Sequence, residues 1–378
     1  MDSLPNDCIY EILLHLDISN TARCCAINRT FNNIIKLEKV WASRIKDSYK
    51  QLFKKESNRE NCKTYYLVKI IKQKLYNNEF NYEYIYNVDK LYLSCGTIEK
   101  LGKEMHILIN FKTLDLKYSL IKILPIQIGN LVTLQTIYLQ HNEIKLIPKE
   151  LCNLINLKIL HLEDNQIDTV PRQICNLINL QELWLNNNKI ESLPKDICNL
   201  TNLNKLHLSG NRIKFLPKTL KELTNIQILY LDNNKMQVFP KEVGKLVNLI
   251  HLSLQNNQIQ FVPKEIGNLI NLQDLCVSYN QIKTIPAEIG NLVNLKYLYV
   301  HNNQIKKIPE EIGNINNLKY LYLQSNQIKQ LPSQIGKLVN LTTLYLYSNK
   351  IQIIPEEINN LVNLKDFGSD TLFTRRSN

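Results

Sequence analysis

The chain has 378 residues, 44% of them hydrophobic and 8% aromatic, and a formal net charge of +12 from 46 Lys and Arg against 34 Asp and Glu. No apolar run approaches the roughly 18 to 20 residues of a membrane span, and Met1-Asp2-Ser3-Leu4-Pro5 lacks the basic region and apolar core of a leader, so a soluble, unexported protein is expected. The 9 cysteines, an odd number without paired spacings, do not read as a disulfide framework and fit reduced thiols in the cytosol or nucleus.

Residues 3–46 have helical spacing. Ile9, Ile12, Leu13 and Leu16 form an i, i+3, i+4, i+7 stripe behind Leu4-Pro5. Asp7 lies in the first turn, where a negative charge suits the helix dipole, and Ser19 can cap a second helix. Cys24, Cys25, Ile27, Phe31, Ile34 and Ile35 supply the apolar positions of two short helical stretches, and Val40-Trp41 closes a compact three-helix unit. The Leu-Pro opening, Glu11-Ile12-Leu13, the run Cys25-Ala26-Ile27-Asn28-Arg29-Thr30-Phe31 and Trp41 together resemble the F-box family. The chain departs from that pattern at Asp17-Ile18-Ser19-Asn20-Thr21, where the family often has a proline and an Asp-Leu pair. The resemblance implies docking to the Skp-type adaptor of a cullin-based ubiquitin ligase, with Leu4, Pro5, Ile9, Ile12, Leu13, Leu16 and Trp41 at or supporting that contact. The same stripe would also serve as a helical cap for the remainder of the chain.

Residues 47–87 are rich in Lys and Tyr. The run from Cys62 to Ile71 reads as a helix joining module to repeats, and Tyr82, Tyr84 and Tyr86 alternate like a capping strand. A flexible linker is the other reading of this segment.

From residue 88 to 367 one unit recurs. Pro125, Pro148, Pro171 and eight further prolines to Pro355 each follow the last by 23 residues, and an asparagine ladder from Asn142 to Asn349 keeps the same step. Within Leu295-Lys296-Tyr297-Leu298-Tyr299-Val300-His301-Asn302-Asn303, apolar residues at the first, fourth and sixth positions point inward, as a short strand requires, and successive strands pair in parallel. The ladder Asn sits where the chain turns away, its amide serving backbone groups of its own and the neighbouring repeat. Proline suits an extended or tightly turned outer side. Cys152, Cys175 and Cys198 occupy the position of Gly129 and Gly244, so a small packed residue is expected there. The unit resembles the leucine-rich repeat family, in the LPxxIGxLxxL subclass of intracellular Ras-group scaffolds. The expected fold is an α/β repeat solenoid, a horseshoe with a parallel β-sheet, preceded by a small all-α F-box-like module. Residues 368–378 depart from the pattern as a C-terminal tail.

The central outward column reads Tyr92, Asp115, Tyr138, His161, Trp184, His207, Tyr230, Ser253, Cys276, Tyr299, Tyr322 and Tyr345, and it is expected to be exposed. Tyr297, Tyr299, Tyr320, Tyr322, Tyr345 and Tyr347 form a broad tyrosine patch. Tyr and Trp bring large apolar area with a polar handle and little rotamer entropy to lose, so these rings, together with Tyr138, His161, Trp184, His207 and Tyr230, are the candidate substrate-binding residues, Trp184 foremost. The same rings also fit any strand and stack on neighbours about 4.8 Å away without binding anything. The face carries Asp115, Glu163, Asp164, Glu182, Asp232 and Asp274 against Lys90, Lys117 and Lys205, so the basic excess lies on turns and the outer side. A phosphate track and an Arg cluster for a phosphorylated segment are both absent from these columns. His141, His161, His207, His251 and His301 are placed at solvent-facing strand columns, His161 and His207 roughly 10 Å apart and too far to share a metal.

No phosphate loop, HExxH pattern or GxSxG elbow is present, so no catalytic residue, metal or cofactor is expected. The two resemblances together imply a non-enzymatic substrate-recognition subunit, a monomer within a larger complex. Its partners would be a Skp-type adaptor with the cullin core and a protein substrate of apolar or basic character, with neither nucleic acid nor membrane. The alternative is a signalling scaffold that binds a small GTPase or phosphatase. The surplus of Ile, Asn and Lys over Ala and Gly points to an AT-rich genome, and a viral chain would work in the host cytoplasm.

Overall fold

The computed structural model describes residues 90–92 and 111–371. The helical module, the segment 47–87 and the adaptor-contact residues Leu4, Pro5, Ile9, Ile12, Leu13, Leu16 and Trp41 lie outside the described residues. Thirteen three-residue strands follow one another: β1 (Lys90–Tyr92), β2 (Thr113–Asp115), β3 (Thr136–Tyr138), β4 (Ile159–His161), β5 (Glu182–Trp184), β6 (Lys205–His207), β7 (Ile228–Tyr230), β8 (His251–Ser253), β9 (Asp274–Cys276), β10 (Tyr297–Tyr299), β11 (Tyr320–Tyr322), β12 (Thr343–Tyr345) and β13 (Asp366–Gly368). They form one parallel sheet in sequence order. Because pairing is in register at the repeat period, His161 faces Trp184 and Trp184 faces His207, and every residue type of the repeat becomes a column. The middle strand residues Leu160, Leu183 and Leu206 are fully buried, as are the leucines before and after them, giving one continuous core.

Three residues beyond each of eleven successive strands, β2 to β12, the backbone turns through the left-handed region. Tyr118, His141, Asp164, Asn187, Asn233, Asn256, Tyr279, Asn302, Ser325 and Ser348 have φ between 52° and 56°, and Gly210 has φ 68°. From His141 on, the ladder asparagine follows immediately, and Ser119 takes its place after Tyr118. Asn188 Nδ2 donates to Leu162 O (2.9 Å) in the preceding repeat and to Leu185 O (3.0 Å) in its own, while Oδ1 accepts the Ile167 N–H (2.9 Å). Buried carbonyls and amides that no sheet could pair are thereby satisfied.

Each proline from Pro125 to Pro355 precedes a five-residue 3-10 turn on the outer side. Its carbonyl accepts the N–H three residues on, as Pro125 O does from Ile128 at 3.0 Å. Proline fits here because the first N–H of such a turn has no partner anyway. A second row of asparagines staples these turns: Asn179 Nδ2 donates to Ile155 O (2.8 Å), Asn202 to Ile178 O (2.8 Å) and so on to Asn363 and Val339 O (2.8 Å). Thr133 takes that place in the first of them, bonding Phe111 O at 2.9 Å. Cys152 and Cys175 are buried and free, and burial pushes their thiols up to about 12 and about 11, so both are packing residues rather than nucleophiles.

The sheet extends one residue beyond Phe367. Leu346 N–H donates to Gly368 O at 2.6 Å, and Thr371 Oγ1 donates to Ile351 O at 2.7 Å. Among the described residues no helix is long and apolar enough to cross a membrane.

Candidate functional site, the concave face

Strand alternation places the third residue of each strand on the concave face, and register sets these residues one strand apart. Rings in β3 to β7 form a continuous stack. Tyr138 meets His161 edge-on (5.0 Å), His161 stacks on Trp184 (4.8 Å), Trp184 stacks on His207 (3.6 Å, 8° between planes), and His207 meets Tyr230 edge-on (4.8 Å). Both faces of the Trp184 indole are therefore covered, and its edge is what a partner would meet. The expected full exposure of this column fails at His207, which is only 8% exposed because Trp184 and Tyr230 close over it. Burial drives its pKa down to about 4, against the attraction of Glu182 and Glu163 for a proton.

Acidic side chains anchor the stack from the flanking columns. Glu163 Oε1 meets His161 Nδ1 at 2.9 Å. Glu182 accepts from Trp184 Nε1 (3.3 Å) and from Lys205 Nζ (2.9 Å); burial works to raise its carboxyl, but those two donors outweigh it and hold it below the usual range. Asp115 shares this column but is not open to solvent. It is 1% exposed, covered by Lys117, whose N–H and ammonium each lie 3.2 Å from one of its oxygens. Asp164 and His141 belong to the left-handed turns rather than to strands, and His301 lies two residues past β10.

The tyrosine patch is a second stacked block. Tyr297 stacks on Tyr320 (4.8 Å), Tyr299 on Tyr322 (4.9 Å), and Tyr322 meets Tyr345 edge-on (5.2 Å). Burial, then the neighbouring Tyr322 and Asp274, push the Tyr299 phenol up to about 12. Tyr347 is 44% exposed and lies over Gly368, where a Cβ would come within 2.1 Å of its ring, so the patch closes across the last strand.

Between the two blocks the column holds Ser253 and Cys276, and a depression of ≈ 660 Å³ opens there, bounded by Tyr230 on one side and Tyr297 and Tyr299 on the other. Asp232 is fixed in it by the Ser209 hydroxyl (3.1 Å), the Ser253 hydroxyl and the Gln255 N–H (2.9 Å). Asp274 pairs through Oδ2 with His251, and no donor reaches its Oδ1. Among the described residues no group of three or more His, Cys, Asp or Glu side chains is placed to hold a metal ion.

The family model described as a leucine-rich repeat region matches residues 91–187, 165–249, 233–316 and 287–377, and the F-box domain model matches residues 1–43. The chain belongs to the leucine-rich repeat family and carries an F-box domain. Among solved structures it is similar to a leucine-rich repeat protein of Leptospira interrogans, at 35% identity and TM-score 0.59 over 70% of this chain and 74% of that one. An internalin of Listeria monocytogenes is similar at 26% identity and TM-score 0.69, over 76% and 83% of the two chains. The plant peptide hormone receptor RGFR1, solved in complex with RGF2, is similar at 32% identity and TM-score 0.68 over 75% of this chain, which spans 47% of the receptor. No curated protein matches the sequence.

In this F-box and leucine-rich repeat chain, the structure brings the candidate residues Tyr138, His161, Trp184, His207 and Tyr230 into one block and Tyr297, Tyr299, Tyr320, Tyr322, Tyr345 and Tyr347 into another. Asp232, His251, Asp274 and His301, which border the depression between them, read from the sequence only as charges or as isolated histidines. The signal that joins them is the absence of a ring at two successive steps of an otherwise aromatic column.

Proposed function

We propose that this chain recruits a protein to a cullin-type ubiquitin ligase. Residues 3–46 would dock a Skp-type adaptor through Leu4, Pro5, Ile9, Ile12, Leu13, Leu16 and Trp41, residues 47–87 would join them to the solenoid at 88–367, and the concave face would hold a segment of the recruited protein. The observation that carries this reading is the pairing of an F-box match with a solenoid whose inner face presents two half-buried aromatic blocks. Large rings fixed by stacking lose little entropy on binding, and such residues dominate interface energetics. The likeness to a receptor solved with its hormone supports recognition of a protein segment. The chain itself performs no chemistry in this reading. It raises the local concentration of substrate beside the transferring enzyme, in cytoplasm or nucleus.

A second reading, a scaffold for a small GTPase or phosphatase, rests on the 23-residue repeat signature that resembles Ras-group scaffolds. Co-purification of the full chain with a eukaryotic Skp-type adaptor separates the two. Stoichiometric capture that a Leu4→Ala, Pro5→Ala double variant loses is the expected result. A folded chain that captures no adaptor sinks the ligase reading and favours the scaffold.

A further inference from the structure

We propose that the depression between Tyr230 and Tyr299 receives one Lys or Arg side chain of the recruited protein, an inference that rests on reading the concave face as the recruiting surface. Ser253 and Cys276 interrupt the aromatic column at β8 and β9, leaving three strand steps, about 14 Å, between the backbones that carry the flanking rings. Among the described residues, two carboxylates border this gap and no Lys or Arg does. Lys296, one residue before β10, is directed to Gln273 Oε1 at 2.9 Å.

Asp232 is already oriented by its three donors, so a cation meets a carboxylate that needs no ordering. Asp274 keeps 30% of its side chain exposed, and among the described residues it pairs only with His251. The tyrosine rings at both ends add cation–π attraction, which is strongest in a partly desolvated site. An anion would meet two like charges here, so the chemistry selects a basic side chain over a phosphorylated one. An extended segment can offer this gap a single long side chain.

The test is selection of random ten-residue displayed peptides on the full chain, with affinities of the selected peptides measured by fluorescence anisotropy. Enrichment of Lys or Arg at one position is expected. Affinity for those peptides is expected to fall about tenfold or more in an Asp232→Asn, Asp274→Asn double variant. A Ser253→Tyr variant fills the gap with the ring that its neighbours already carry, so it tests occupancy in a chain that folds. It too is expected to lose the basic peptides, while adaptor capture stays unchanged in both variants. Selected peptides without basic enrichment, or with enrichment that survives both variants, overturn the inference and leave recruitment by the concave face standing. Cross-linking of residues 47–87 to the gap, in a chain that takes no basic peptide, also overturns it by making the chain's own lysine-rich segment the occupant. Loss of adaptor capture with basic selection intact removes the ligase role and leaves this pocket in place.

Discussion

His207 lies against the face of an indole with the edge of its ring toward a phenol, and it has nowhere to put a second proton. Its Nε2 is buried without a partner, and burial holds its pKa at about 4 against 6.5 for an ordinary imidazole. Between those two values the unfolded chain binds a proton that the folded chain does not. Stability therefore rises with pH across that window, and as pH falls it drops by at most about 1.4 kcal/mol per unit for this one group. Glu163, Glu182, His161 and Lys205 surround the ring and are all kept in the variant, so the comparison isolates His207. A His207→Phe variant keeps a flat ring between Trp184 and Tyr230 but cannot titrate. Melting at pH 7 and pH 5 is expected to show a larger loss for wild type than for the variant. Equal losses would mean that the stack opens to admit the proton.

At the scale of the strand and the turn, each repeat is held by close approach as much as by hydrogen bonds. A Cβ on Gly290 would lie 2.4 Å from Glu311 O in the next outer turn, so the spacing of adjacent turns there is set by the missing side chain. Gly290→Ala is expected to lower stability by about 1–3 kcal/mol, where an unstrained site would gain about 0.4–1 from the stiffer unfolded chain. The sign of the change in a denaturant titration decides whether the turns have slack. The strands themselves were legible because inward leucines alternate with polar or aromatic residues, and the inner asparagines because a polar residue that recurs amid leucines must have buried partners. The outer asparagines from Asn156 to Asn363 keep the same period but lie on an exposed surface, where one repeat gives no sign that they bond the turn before. The left-handed residue was hidden by its variable identity, since Tyr118, His141 and Tyr279 occupy a conformation that usually favours Asn, Asp or Gly. The exposure of His207 and of Asp115 could not be read from alternation, which gives the side of the sheet but not the height of the neighbouring side chains. The gap at Ser253 and Cys276 escaped for a related reason, since a search for rings passes over the positions that lack them.

The described solenoid is a one-dimensional array in which each repeat touches only its neighbours, so its unity depends on interfaces repeated along its length. Asn234 sits at one such interface near the middle. It donates to Leu208 O (3.0 Å) and Leu231 O (3.1 Å) and accepts from Ile213 N–H (2.9 Å). Asn349 makes the same bonds at the C-terminal end, to Leu323 O and Leu346 O (both 2.9 Å) and from Ile328 N–H (3.0 Å). Truncating either to Ala strands buried carbonyls and an amide, at about 1–3 kcal/mol for each group left unsatisfied. The consequence differs with place. At Asn234 the lesion divides the array into a block that holds the Trp184 stack and a block that holds the tyrosine patch, with the acidic gap beside the break. At Asn349 it only loosens the last repeat. Urea unfolding followed by tryptophan fluorescence, which reports Trp184 and Trp41, is expected to separate from the far-ultraviolet dichroism transition in Asn234→Ala and to coincide with it in Asn349→Ala. Separation would mean that the two aromatic blocks are coupled through the ladder, and that a ligand spanning both is held in one orientation by a row of buried amides. Coincident transitions in Asn234→Ala would place that coupling in the leucine core instead, where the ladder could be weakened without letting the two halves of the concave face move apart.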